Sequence, residues 1–305
     1  MELQWPLMLF TLFVAGGAGT LGAVSLGALL GRSKKVYLAG LAVSFGSFVF
    51  GGLCSVAHLQ TPANYFKQLG NVTSGINQEI AMLGVCMVLI ALSFILIRRG
   101  GEEASPNKAL AAISIVASLC LVIVMSHSYM MPSIPSWNTV LLPLYYLLNS
   151  AVLGGFSFAL LLALFDKENQ NGKIALIILG SLVALAIIIF AYVAFFGSVS
   201  YESRLWWDAA AGPVDSAGNA TAIADPDPSA IAVRILVGDL AGLFWGAVVV
   251  IGLALPLFAS VLMWVKRSDP KVVIGVVIAA LVCLVIGGLA FRALIYLSGA
   301  SYFAY

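Results

Sequence analysis

The sequence predicts an all-α integral membrane protein: a single polytopic domain over residues 1–305, with eight transmembrane helices and both termini on the outer, periplasmic side. Three observations predict it. Hydrophobic residues make up 62% of the chain and charged residues only 9%, whereas about a quarter of a soluble domain is charged. Eight apolar runs are long enough to cross about 30 Å of hydrocarbon at about 1.5 Å per residue. Finally, the basic residues alternate. Arg32, Lys34 and Lys35 fill the first link between runs, Arg98, Arg99 and Lys108 the third, Lys167 and Lys173 the fifth, and Lys266, Arg267 and Lys271 the seventh. Only Lys67, Arg204, Arg234 and Arg292 lie elsewhere. Lys and Arg are retained on the cytoplasmic face, so the odd-numbered links face the cytoplasm and the even ones face out.

Span one is expected over Leu7–Leu30. Met1–Pro6 carries only Glu2 and lacks the basic start of a secretory signal, so the run reads as a retained helix. Its glycines, among them Gly27 and Gly31 in small-xxx-small spacing, read as close packing within the bundle. Span two covers Val36–Ala57 and span three Glu79–Ile97. In the link between them Thr61 and Pro62 have the character of an N-cap and first helical position, which predicts a short interfacial helix over Ala63–Leu69. Spans four to six are placed at Ala109–Ser126, Val140–Phe165 and Ile174–Phe196. A long link, Gly197–Val233, then holds Glu202, Asp208, Asp215, Asp225, Asp227, Trp206 and Trp207. Loops this long are functional or disordered; the two readings are a floppy acidic loop and a docking surface for an outer-face protein. Spans seven and eight are Ile235–Val265 and Val272–Leu297.

An ionisable side chain at the bilayer centre costs about 2.5–3.5 kcal/mol on insertion scales, so each requires an explanation. His58 closes span two and Glu79 opens span three; His127 ends span four, Arg292 lies inside the outer end of span eight, and Arg234 and Asp239 mark the outer start of span seven. All six gather on one face. Arg234 reads as a snorkelling cation, with Asp239 satisfying either it or Arg292, and His127 reads as an interfacial histidine or a ligand. His58 and Glu79 have reference pKa values of about 6.5 and 4.3. A half-buried carboxylate beside a histidine suits a proton relay. Composition alone leaves a transporter gate equally open. Cys54, Cys86, Cys120 and Cys283 fall inside apolar runs without a CxxC spacing and read as small hydrophobes. No metal site and no nucleic-acid-binding patch is expected.

Several short segments carry a resemblance. Trp5-Pro-Leu-Met-Leu-Phe-Thr11, Ala57-His58-Leu59-Gln60-Thr61-Pro62 and Asn77-Gln78-Glu79-Ile80 are similar to segments of the DmsC family, the membrane anchor of bacterial dimethyl sulfoxide reductase. Tyr129, Pro135-Ser-Trp137, Pro143, and Arg292 with Tyr296 follow in matching order, so the likeness runs end to end. It departs at His127, near which relatives carry an Arg, and at Gly288, where they carry a Glu. The resemblance implies an anchor that binds menaquinol, carries no haem or metal, and sits in the bacterial inner membrane. It would form a heterotrimer with an iron–sulfur subunit holding [4Fe–4S] clusters and a molybdopterin catalytic subunit. The chain would supply the quinol-oxidising half-reaction, while a sulfoxide or N-oxide is reduced elsewhere. By the same resemblance His58 and Glu79 accept protons, with Arg292 and Tyr296 placing the second quinol oxygen and His127, Asp239 and Arg234 in support. The rivals are a haem b anchor using His58 and His127, and a solute transporter using Glu79 and Asp239.

Overall fold

A computed structural model describes residues 3–57, 74–101, 104–131, 134–166, 172–199, 228–266 and 269–298. All regular structure among them is helical. Eight helices are long and apolar enough to cross a membrane: α1 (Trp5–Leu29), α2 (Lys34–Ala57), α3 (Gly75–Arg99), α4 (Lys108–Ser128), α5 (Leu141–Phe165), α6 (Gly172–Phe196), α8 (Gly242–Val265) and α9 (Pro270–Ser298). A ninth and shorter helix, α7 (Pro228–Leu236), precedes α8. His58, the expected Ala63–Leu69 helix and most of the Gly197–Val233 link lie outside the described residues.

Helix α1 is the pivot of the bundle, packed on α2, α4 and α5. Small residues make that position possible. A Cβ on Gly154 of α5 would lie 2.1 Å from the backbone carbon of Gly19, and one on Gly19 would fall on the Ser150 carbonyl. The two backbones therefore touch, and Ser150 Oγ donates to the Ala15 carbonyl across the contact at 2.7 Å. In lipid, where apolar side chains gain nothing by leaving the solvent, such contacts and bonds hold helices together. Gly17, Gly22 and Gly27 face Phe48, Ser118 and Phe158 of this same chain, as expected for packing inside the bundle. Gly31 instead makes the turn after α1, at φ +75°.

Helix α5 joins this group to a second one formed with α6, α8 and α9. Here Gly252 and Gly287 bring α8 and α9 together, a Cβ on Gly287 falling 2.2 Å from Gly252 Cα. Gly252 lies in a stretch of α8 (Gly242–Ala254) wound as a π-helix, in which N–H groups reach five residues back. Leu255 N still bonds the Val250 carbonyl. Pro256, which has no N–H to offer, then starts the ordinary α-helical part, Leu255–Val265.

One expected element is corrected. The run Ile235–Val265 does not form one span: the chain ends α7 at Leu236, turns, and begins the spanning helix at Gly242. At the turn Val237 N and Gly238 N both donate to the Val233 carbonyl, and Leu240 N to the Arg234 carbonyl. Gly238 folds back so closely that a Cβ would sit 2.8 Å from Arg234 Cα. Trp245 Nε1 then covers the freed Leu236 carbonyl at 2.8 Å. Arg234 and Asp239 thus belong to the turn before the span.

The first, third and fifth links share one face of the bundle. Lys34 Nζ donates to the Gly101 carbonyl at 2.7 Å, and Ser33 N donates to Asp166 Oδ2 at 3.3 Å, tying the first link to the third and fifth. At the opposite face, residues near the start of α1 meet the end of α9, as the contact of Arg292 with Thr11 shows.

Candidate functional site

The polar residues at that opposite face are arranged around Arg292. Its side chain is 1% exposed, six residues before the end of α9, about 9 Å along the helix. All its donors are engaged. Nε donates to Thr11 Oγ1 at 2.9 Å, Nη1 to Tyr145 Oη at 3.1 Å and to the Gly288 carbonyl at 3.0 Å, and Nη2 to Asn149 Oδ1 at 3.2 Å and the Thr11 carbonyl at 3.4 Å. A guanidinium has five N–H groups, so the set is complete. Every acceptor is a neutral oxygen. The guanidinium carbon also lies 5.0 Å from the Tyr146 ring centroid and 5.5 Å from that of Tyr145, within cation–π range. Bonds to a charged donor contribute about 1.5–3 kcal/mol each, which is enough in sum to offset an insertion cost of about 2.5–3.5 kcal/mol.

Outward of Arg292 is a narrow cleft whose walls are Tyr129, Trp137, Leu142, Tyr146, Ile295, Tyr296 and the guanidinium itself. Trp137 lies edge-on to Tyr296 with centroids 5.0 Å apart, and Tyr129 stacks on Tyr146 at 6.5 Å. Two hydrogen bonds hold the α4–α5 link over this end of the bundle: Trp137 Nε1 donates to the Ile295 carbonyl at 2.9 Å and Tyr192 Oη to the Ser136 carbonyl at 3.0 Å.

Glu79 stands in the first turns of α3, 5% exposed. Gly75 brings α3 against the end of α4, where a Cβ would lie 3.2 Å from Ser128 Cα. Glu79, one turn further along α3, lies within electrostatic reach of Tyr129, Tyr146 and Tyr296. Glu79 Oε1 is buried and has no hydrogen-bond partner among the described residues. A buried polar atom of this kind calls for an explanation, and a ligand oxygen or a transferable proton supplies one.

Three of the residues expected at the site, Glu79, Arg292 and Tyr296, are brought to one cluster. Arg234 and Asp239 pair with each other in a two-pronged bond, Nε–Oδ1 2.9 Å and Nη2–Oδ2 2.8 Å, on side chains 48% and 60% exposed. Arg234 holds the Asp239 carboxyl below the usual carboxylate range. Asp239 satisfies Arg234 and not Arg292. His127 is exposed in the last turn of α4, and His58 lies outside the described residues. Thr11, Tyr145, Tyr146 and Asn149 were missed as candidates. Their signal was available: a charge inside a span requires polar partners on neighbouring helices, and Asn149 is a strong candidate donor of an oxygen within span five. Among the described residues no three His, Cys, Asp or Glu side chains gather as metal ligands would.

The chain matches the family described as DMSO reductase anchor subunit (DmsC) over residues 1–297. A comparison with curated proteins finds no match.

Proposed function

Since the chain belongs to the DMSO reductase anchor subunit (DmsC) family, we propose that its own chemistry is the oxidation of menaquinol at the Glu79 face. Membership makes it the multi-pass membrane anchor of a DMSO reductase-type molybdoenzyme complex, associated with a catalytic and an iron–sulfur subunit. In the proposed reaction menaquinol loses two protons and two electrons. Glu79 and His58 accept the protons. The electrons pass to a cluster of the docked iron–sulfur subunit, and the molybdopterin subunit of a heterotrimer spends them on a sulfoxide or N-oxide.

The observation that carries this reading is the buried Glu79 carboxyl, with Oε1 unpartnered among the described residues and within electrostatic reach of Tyr129, Tyr146 and Tyr296, which line the cleft. Ionisable groups inside a span mark substrate or proton pathways, and a general base must stand within reach of the proton it removes. Tyr296 offers a hydroxyl to the second quinol oxygen. Arg292, whose donors are all engaged, acts on that oxygen through its charge. On the assignment of the basic odd-numbered links to the cytoplasm, both termini and the cleft lie at the outer face of the bacterial inner membrane, and the reading docks the partner subunits on that same face.

Glu79→Gln tests the reading, because it keeps shape and hydrogen bonding and removes the base. Turnover with menaquinol should fall by about a hundredfold or more, in the range of a lost general base. Turnover with an artificial dye that reduces the partner subunits directly should persist. Equal loss with both donors would make Glu79 a structural residue.

A further inference from the structure

The acceptors around Arg292 have a property that the proposed reaction does not by itself require. Each of the five is neutral: the Thr11 hydroxyl and carbonyl, the Tyr145 hydroxyl, the Gly288 carbonyl and the Asn149 amide oxygen. Buried cations are ordinarily matched by a carboxylate, and Asn149 occupies a place where the isosteric Asp would make that match. Glu79, on α3, lies within electrostatic reach of three tyrosines that also sense Arg292: Tyr129, Tyr146 and Tyr296. The remaining titratable groups that face the guanidinium are Tyr145 and Tyr146 of α5, Tyr129 at the end of α4 and Tyr296 of α9. Helix α1 contributes only Thr11 to the cage, and α8, packed on α9, has no titratable residue. The positive charge is therefore solvated but not discharged, and it forms one wall of the cleft.

We propose that this cage keeps the Arg292 charge available to the cleft, so that the cleft selects the quinol with one hydroxyl ionised. Thr11 and Asn149 are positioning residues that act through Arg292. The inference rests on menaquinol oxidation at this face. In balanced form, the quinol gives its first proton to Glu79 and becomes a monoanion. The monoanion then gives two electrons to the iron–sulfur subunit and its second proton to water at the outer face, leaving the quinone. An opposite charge within about 4–6 Å favours the charged form of an acid by 1–3 pK units, so the cation lowers the pH at which the quinol ionises. Discharging the cation moves that pH upward.

The test is made on the intact complex with Asn149→Asp and Asn149→Ser. The first substitution would neutralise Arg292 at almost unchanged shape, while the second keeps a neutral acceptor. For Asn149→Asp, kcat/KM with menaquinol should fall about tenfold at neutral pH, and the ascending limb of its pH profile should move up by about one unit. Asn149→Ser should keep the wild-type profile at whatever rate it retains. An unshifted profile in Asn149→Asp, or the same shift in both variants, would overturn the proposal. A second measurement needs no variant. With the wild-type complex, the ionised 2-hydroxy-1,4-naphthoquinone should compete with menaquinol at least about tenfold better than its 2-methoxy ether, the preference a partly buried charge confers. Equal competition would also overturn it. Failure of the wild-type complex to turn over menaquinol at all would instead defeat the function on which the inference rests.

Discussion

Trp137 donates its indole N–H to the Ile295 carbonyl at 2.9 Å, joining the α4–α5 link to the last turn of α9. That carbonyl lies in the last turn of α9 and has a second lone pair to offer beyond any bond within the helix. The indole therefore ties the link to α9 and at the same time lays its ring against Tyr296 in the wall of the cleft.

Trp137→Phe should separate these two roles from simple apolar cover. The ring remains, but the carbonyl loses this hydrogen bond, at a cost of about 0.5–1.5 kcal/mol. Thermal unfolding of the detergent-solubilised complex should show the loss. KM for menaquinol should rise, while the dye-linked rate of the partner subunits stays as it was.

Helix α9 is also held from its inner half by the backbone contact between Gly252 and Gly287. A side chain at Gly287 would have to displace α8, so Gly287→Val should destabilise the protein by about 1–3 kcal/mol or more, the cost of overpacking. Gly275 lies on the same helix with nothing within 4 Å of an added Cβ, and Gly275→Val should be tolerated. Unfolding curves of the two variants compared with wild type decide the matter.

The sidedness assigned from Lys and Arg is open to direct labelling. A cysteine at Ser105, exposed in the α3–α4 link, should resist a membrane-impermeant thiol reagent applied to intact cells. A cysteine at Ser216, in the long acidic link, should react. The reverse pattern would place the Glu79 face inside.

If quinol protons are released at the outer face and the docked subunits consume protons and electrons there, no net charge crosses the bilayer. Turnover of the reconstituted complex in liposomes should then generate no membrane potential. A potential abolished by an ionophore would reveal a proton route from the other side.

The spans themselves were legible because hydrocarbon thickness imposes a minimum run of apolar residues, and seven of the eight expected runs coincide with helices to within a few residues. Span seven was misread at its start for a definite reason. Ile235–Leu240 is nearly as apolar as the helix that follows it, so hydropathy gives no warning of a break that depends on Gly238 folding back onto Arg234. Glu79 and Arg292 were legible because charge inside a span is costly wherever it occurs. Their surroundings were not: Thr11, Tyr145 and Asn149 come from α1 and α5, and only the packing of those helices on α9 shows which polar residues converge. The same packing assigns Asp239 to Arg234, a choice the sequence left open.

The Arg292 cage also bears on how the chain enters the membrane. Synthesis runs from the N-terminus, so Thr11 on the first spanning helix and Tyr145 and Asn149 on the fifth are already in place when the eighth leaves the ribosome. The residue most costly to insert arrives last, at a point when its acceptors are waiting. Biogenesis of the final helix is thereby templated by the earlier ones. A chain whose first helix is missing or misoriented would present α9 with an unaccompanied cation, a natural checkpoint for quality control before any partner subunit docks.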